Sequence, residues 1–124
     1  MNTTKTPLLL IVDDSRMSRM LIRAVVAESR PDWQILEAAN GDEAIQLANE
    51  NQPNFVSMDV NMPGMNGLEA AARILIRNPK MRIVMCTANI QESTREATSK
   101  IGLHFVAKPI TTASFASAIT FFEA

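Results

Sequence analysis

Two kinds of hydrophobic pattern alternate along this chain from one end to the other. Leu8 to Val12 is an unbroken apolar run, as expected of a strand covered on both faces. Met17, Met20, Leu21, Ala24 and Val25 then recur at the i, i+3, i+4, i+7, i+8 spacing of a helix, with Ser15 able to cap it and Pro31 closing the stretch. Trp33 to Ala38 predicts a second strand, with Trp33 at its start, and Gly41 to Asn51 a second helix turned inward on Ala44, Ile45, Leu47 and Ala48 before Pro53. Asn54 to Met58 reads as the third strand, and Leu68, Ala71, Ala72 and Leu75 stripe a third helix that ends at Asn78-Pro79. Met81 to Cys86 gives a fourth strand, and Ile90, Thr94, Ala97 and Ile101 a fourth helix ending before Gly102. Leu103 to Ala107 gives a fifth strand, and Phe115, Ala118, Ile119 and Phe122 the inner stripe of a fifth helix.

Strands that alternate with helices across short connections must run parallel, because each helix carries the chain back along the sheet through a right-handed crossover. The expectation is an α/β domain of three layers, αβα, with five helices and a five-stranded parallel sheet; two windings are plausible, and the flavodoxin-like order 2-1-3-4-5 is the one expected. Its switch point lies between strands one and three, and sites form there, outside the carboxyl ends of the strands. The residues that end successive strands should therefore meet. They are Asp13 and Asp14 after the first strand, Asp59 after the third, Thr87 at the end of the fourth and Lys108-Pro109 after the fifth. The first strand-to-helix turn has neither G-x-G-x-x-G nor a P-loop lysine, so a dinucleotide or nucleoside triphosphate lacks its usual cradle.

Composition narrows the class. The 124 residues fit one domain, 1–124, with no internal repeat or linker. A net charge of −1 leaves no basic footprint for nucleic acid or an anionic membrane, so any partner is expected to be protein. No apolar stretch approaches the roughly eighteen residues of a membrane span, and Met1 to Pro7 lacks a signal-peptide core, which places the protein in the cytoplasm. One cysteine, Cys86, excludes an internal disulfide and sits in an apolar run where an inert core thiol is expected.

Three carboxylates brought within a few ångströms repel one another, and a bound hard cation relieves them; Mg²⁺ suits, because it takes oxygen ligands and is commonly held by one or two carboxylates plus phosphate oxygens. An aspartate nucleophile for a phosphoryl group also needs a cation and a hydroxyl nearby, and Lys108 and Thr87 supply them. Taken singly, Lys108 reads as a surface lysine and Thr87 as an ordinary strand end. Their places at the ends of strands five and four give them meaning.

Asp13-Asp14, the stretch Asp59-Val60-Asn61-Met62-Pro63-Gly64-Met65-Asn66-Gly67, Thr87-Ala88 and Lys108-Pro109, in that order and at these spacings, resemble the receiver domain of the two-component response regulators over essentially the whole chain. The resemblance implies that Asp59 accepts a phosphoryl group from a phosphohistidine on a histidine kinase or histidine phosphotransfer protein. It implies Mg²⁺ held by Asp14, Asp59 and the backbone carbonyl of Asn61, with Asp13 acting through water. It also implies that Thr87 and Lys108 each take a phosphoryl oxygen, that small Ala88 leaves room, and that Lys108-Pro109 is cis. By the same implication Asn61 and Asn89 line the path of the hydrolytic water and set the lifetime of the phosphoryl group. Such a domain catalyses only its own phosphorylation and dephosphorylation.

Phe105 stands at the switch position where many receivers carry tyrosine, so a switch shared by Thr87 and Phe105 would work through packing without a phenol hydroxyl. With no output domain in the chain, the resemblance is to stand-alone receivers that dock onto a target. The expected docking face is made by helix four, strand five and helix five, where Ala113, Ala116, Ser117 and Thr120 present small uncharged side chains to a downstream protein or a second copy. Two other readings stay open. A haloacid-dehalogenase-like phosphatase also uses an aspartate, Mg²⁺, a hydroxyl and a lysine, but its second aspartate would fall at Asn61, and an amide cannot donate a proton to a leaving group. A degenerate receiver acting as a constitutive interaction domain is the other. His104, the one histidine, reads as a surface residue, and Met17, Met20, Met58, Met81 and Met85 as core fillers.

Overall fold

The computed structural model describes residues 6–88 and 103–124. Strands β1 (Leu8–Val12), β2 (Gln34–Ala38), β3 (Phe55–Asp59), β4 (Arg82–Thr87) and β5 (His104–Ala107) form one parallel sheet in the order β2-β1-β3-β4-β5. That is the flavodoxin-like order expected. Four helices lie among the described residues, namely α1 (Arg16–Ser29), α2 (Gly41–Asn51), α3 (Gly67–Arg77) and α4 (Thr112–Glu123). The last is the helix expected as the fifth. The one expected from Ile90 to Ile101 falls outside the described residues, as does Asn89.

Alternate side chains of each strand enter opposite layers, so the continuous apolar runs feed two cores. Leu10, Val12, Val56, Met58, Ile83 and Met85 pack with Ala44 and Ala48 of α2 and Ala70, Ala71 and Ile74 of α3. Leu9, Ile11, Val84, Cys86 and Val106 face the other way, onto Ile22, Val25 and Val26 of α1 and Phe115, Ala118, Ile119 and Phe122 of α4. At the amino ends of the strands that second core is aromatic: Trp33 lies 4.9 Å from Phe55 between ring centroids, and Phe55 stacks on Phe122 at 4.7 Å.

Helix α1 corrects the expected stripe. Its buried face is Ile22, Val25 and Val26, while Met17 and Met20 are exposed (79% and 58%), Leu21 is exposed and Ala24 is too. Both choices satisfy helical periodicity; charge decides between them. Arg19 and Arg23 share the Ile22–Val26 side and reach Glu37 on β2, a half-buried carboxylate that would be costly without them. Met17 and Met20 therefore turn to solvent, whereas Met58, Met81 and Met85 are core residues as expected. In α3 the buried face is likewise rotated by one position, to Gly67, Ala70, Ala71 and Ile74, leaving Ala72 exposed.

Helix starts are fixed locally. Ser15, Asn40 and Asn66 each accept a hydrogen bond from the backbone N–H three residues on, and Thr111 forms a capping box with Ser114. Ser15 and Asn40 lie within three residues of a strand end, so the turns at the carboxyl edge of the sheet are short and their side chains are held close to it. No described helix is long and apolar enough to cross a membrane.

Candidate functional site

Each functional side chain is delivered by the end of a strand. β1 runs into Asp13 and Asp14, of which the first is buried and the second exposed. The Asp13 N–H donates to the Ala38 carbonyl at the end of β2 (3.1 Å), and its Oδ1 accepts from the Ser15 N–H at 2.9 Å, at the start of α1. Asp59 is the last residue of β3, paired in register with Cys86. Beyond it, the Val60 N–H donates to the Cys86 carbonyl (3.0 Å) and the Gly67 N–H to the Val60 carbonyl (2.8 Å), which folds the loop back over the strand end. Gly64 takes φ +78° in that loop, a value that favours glycine, and a Cβ on Gly67 would stand 2.0 Å from the Asp59 carbonyl oxygen. The glycine at 67 thus lets α3 begin directly against the backbone of Asp59.

β4 ends in buried Thr87, one residue beyond the partner of Asp59. The Lys108 N–H donates to the Thr87 carbonyl at 2.8 Å, so the last residue of β4 and the first after β5 are bound by backbone, and the Lys108–Pro109 peptide is cis as expected. From there the lysine reaches across the sheet to Asp13 Oδ2 at 2.9 Å and Asp59 Oδ1 at 3.3 Å. Asp13, Asp14 and Asp59 each offer a carboxylate oxygen, and the three lie within 4.8 Å of one another. Five of the residues singled out in the sequence, Asp13, Asp14, Asp59, Thr87 and Lys108, therefore gather at the carboxyl edge of β1, β3, β4 and β5.

Burial, and next the charge of Asp13, push the Asp59 carboxyl up to about 6, against the lowering effect of Lys108 and of the backbone amide of Asn61. Burial alone would lower the Lys108 ammonium, but its bond to Asp13 and the charges of Asp13 and Asp59 outweigh this and hold it above its ordinary value. At neutral pH the site therefore holds an ionised Asp59 carboxylate beside a firmly charged cation. Cys86, hydrogen-bonded to Ser57 at 3.5 Å, is pushed by burial to about 11 and is an inert thiol.

Three oxygens from carboxylates suit a hard cation. Opposite ligands of a Mg²⁺ ion stand about 4.2 Å apart, so a cluster bounded by 4.8 Å admits one ion bound directly by some of these oxygens and through water by the rest. When bound, such an ion neutralises the acidic cluster and accepts phosphate oxygens.

Other expected residues lie around this core. Asn61 and Ala88 are exposed beside it. Phe105 is half-buried on β5, opposite Met85, and packs against the α2–α3 core. His104 is also half-buried; its ring stacks on Phe121 of α4 at 5.1 Å, away from the acidic cluster, and burial lowers its pKa. A cleft between α1 and the turn after β5, lined by Ser18, Leu21, Ala88, Lys108, Pro109 and Ile110, opens onto the same lysine. Sequence reasoning missed Arg19, whose guanidinium donates to the Asp13 backbone carbonyl at 2.7 Å. Its only signal was an arginine one turn after the acidic pair, which helical spacing alone assigns to solvent.

The response regulator receiver domain profile matches residues 9–120. Among similar proteins, the chemotaxis protein CheY of Listeria monocytogenes is 39% identical over 82% of this chain and 85% of its own length. CheY of Thermotoga maritima is 34% identical over 81% and 83%. The crystal structure of a two-component response regulator of the LuxR family from Aurantimonas superposes with a TM-score of 0.83 at 30% identity, covering 94% of this chain and 84% of that one. The chain belongs to the response regulator receiver domain family.

Proposed function

We propose that this chain is a single receiver domain in which Asp59 takes a phosphoryl group from a phosphohistidine on a histidine kinase or histidine phosphotransfer protein. The observation that carries the reading is the convergence of Asp13, Asp14 and Asp59 within 4.8 Å, with the Lys108 ammonium between Asp13 and Asp59. An Asp59 carboxylate oxygen attacks phosphorus, the P–N bond breaks with its electron pair returning to nitrogen, and the donor, already protonated on its other ring nitrogen, leaves as neutral imidazole. Asp14, Asp59 and the Asn61 carbonyl are the assigned Mg²⁺ ligands, with Asp13 behind a water. Lys108 and Thr87 take phosphoryl oxygens, and exposed Ala88 leaves the approach open. Asn61 and Asn89 are assigned to the water that later hydrolyses the acyl phosphate, the chain's only other reaction.

Output is assigned to Thr87 and Phe105 and the surface beside them. On α4, Ala113, Ala116, Ser117 and Thr120 are exposed, and Glu123 is the only ionisable side chain of the helix. Such a face allows close approach of a downstream protein or a second copy with little loss of rotamer entropy. A cytoplasmic site of action and a protein partner, with neither nucleic acid nor membrane, accord with the net charge of −1.

Incubation with acetyl phosphate and Mg²⁺ should add one phosphate by mass to the parent and none to Asp59→Asn; a phosphate retained in the variant would sink the assignment. Ala116→Arg with Thr120→Glu should keep that phosphate yet lose phosphorylation-dependent binding to the target or to itself.

A further inference from the structure

Asp13 is gripped at every polar atom. Its Oδ1 accepts from Ser15, its Oδ2 from Lys108, its backbone carbonyl from Arg19, and its N–H donates to Ala38. Arg19 is itself held: its Nε donates to Glu37 Oε1 at 2.8 Å, and the other Glu37 oxygen takes two bonds from Arg23, at 3.1 and 2.9 Å. Burial would raise the Glu37 carboxyl, but these bonds bring it below its ordinary value, so the pair is charged at neutral pH. The Arg19 side chain is 15% exposed, against 49% for Arg23.

Glu37 and Ala38 are consecutive residues at the end of the edge strand β2. One fixes the peptide that precedes Asp13, through the Ala38 carbonyl. The other fixes the peptide that follows it, through Arg19. Asp14 hangs from that second peptide, and its exposed carboxylate makes no hydrogen bond or ion pair among the described residues. A rotation of the Asp13–Asp14 peptide plane would therefore swing the Asp14 carboxylate out of the cluster.

We propose that Arg19, clamped by Glu37, is a positioning residue that fixes the Asp13–Asp14 peptide so that Asp14 meets Asp13 and Asp59 in cation-binding geometry. The inference rests on the receiver reading of the site given above. It also runs against simple electrostatics, which gives it a sign to test. A guanidinium near the acidic cluster repels a cation, so if charge alone mattered its removal would tighten Mg²⁺ binding. If positioning dominates, removal weakens it.

The test is calorimetric titration of MgCl₂ into the unphosphorylated full chain. Arg19→Met should bind Mg²⁺ about tenfold more weakly than the parent, the lower end of what outer-shell partners of metal ligands contribute. Arg23→Met, which removes the more exposed arm of the Glu37 cluster but no bond to Asp13, should stay within about twofold. The Mg²⁺ concentration for half-maximal labelling by acetyl phosphate should rise in Arg19→Met, while the rate at saturating Mg²⁺ is retained. Unchanged or tighter binding in Arg19→Met would overturn the proposal, as would equal losses in the two variants. Should Arg19→Met not fold by circular dichroism, Arg19→Lys carries the test: an ammonium lacks the rigid fork by which separate guanidinium nitrogens hold Glu37 and the carbonyl, so its affinity should also fall, and parental affinity would overturn the proposal. A parent that binds no Mg²⁺ refutes the receiver reading instead.

Discussion

The Lys108 ammonium stands nearer to Asp13 (2.9 Å) than to Asp59 (3.3 Å). Its nearer partner is thus the buried member of the acidic pair. The same charge opposes a cation at the cluster. Lys108→Met should therefore tighten Mg²⁺ binding by about tenfold while slowing labelling by acetyl phosphate by about tenfold or more. Titration calorimetry and mass spectrometry read the two effects separately. Weaker Mg²⁺ binding would mean that the lysine organises the carboxylates more than it competes with the metal.

Asp59 makes stability depend on pH. Its carboxyl is 3.8 in the unfolded reference and about 6 in the folded chain, so between those values the folded state binds more protons and stability falls as pH rises. The penalty is absent below pH 3.8 and complete above about 6; at ~1.4 kcal/mol for each pH unit it reaches about 3 kcal/mol. Without divalent ions, Asp59→Asn should therefore be more stable than the parent at pH 7.5, by up to that amount, and nearly equal to it at pH 4. Urea denaturation in EDTA at the two pH values checks this. A gap that does not shrink toward low pH would show that the cost of the buried charge is not its source.

Two glycines that open helices should respond differently to alanine. At Gly67 the new Cβ meets the Asp59 carbonyl oxygen at 2.0 Å, which is backbone and cannot yield without moving the acceptor. At Gly41 it meets Met65 Sδ at 3.0 Å, Cβ at 3.1 Å and Cγ at 3.2 Å, a tight contact but with a side chain. Gly67→Ala should cost about 3 kcal/mol or more and slow labelling of Asp59, whereas Gly41→Ala should cost less, about 1–2 kcal/mol, and leave labelling unchanged. Denaturation midpoints and initial rates would distinguish them.

The rotated face of α1 makes its own prediction. Met17→Lys with Met20→Glu should leave stability within about 0.5 kcal/mol, because both side chains already face water. Ile22→Ala should cost about 2–4 kcal/mol, because that side chain is fully buried. Reversed outcomes would restore the stripe the sequence suggests.

These contrasts mark where sequence reading succeeds. Strands and their parallel direction were legible because a five-residue apolar run has few alternatives once helices separate it from the next, whereas alternation alone left two windings open. α4 was legible too, since Phe115, Ala118, Ile119 and Phe122 fall on one face at helical spacing and all four are buried. In α1 apolar residues lie on two faces, so the phase was decided by Glu37, eight residues after the helix ends and invisible to any local pattern. Asp13, Asp14, Asp59, Thr87 and Lys108 were legible because each ends a strand, and topology brings strand ends together. Arg19 was not, because its role depends on a backbone carbonyl, which no residue type announces.

Trp33, the single tryptophan, precedes β2 and lies against Phe55 and Phe122 at the amino ends of the strands, whereas Asp59 and Lys108 stand at the carboxyl ends. Four rises of ~3.3 Å along β3, from Phe55 to Asp59, separate the two levels by roughly 13 Å. Its fluorescence is therefore an optical probe of the core, dimming or shifting when the aromatic stack opens in urea, and it is remote from quenching by ions or phosphate at the acidic cluster. Unfolding can be followed by emission at any Mg²⁺ concentration without correction, while occupancy of the cluster has to be followed by heat or by mass.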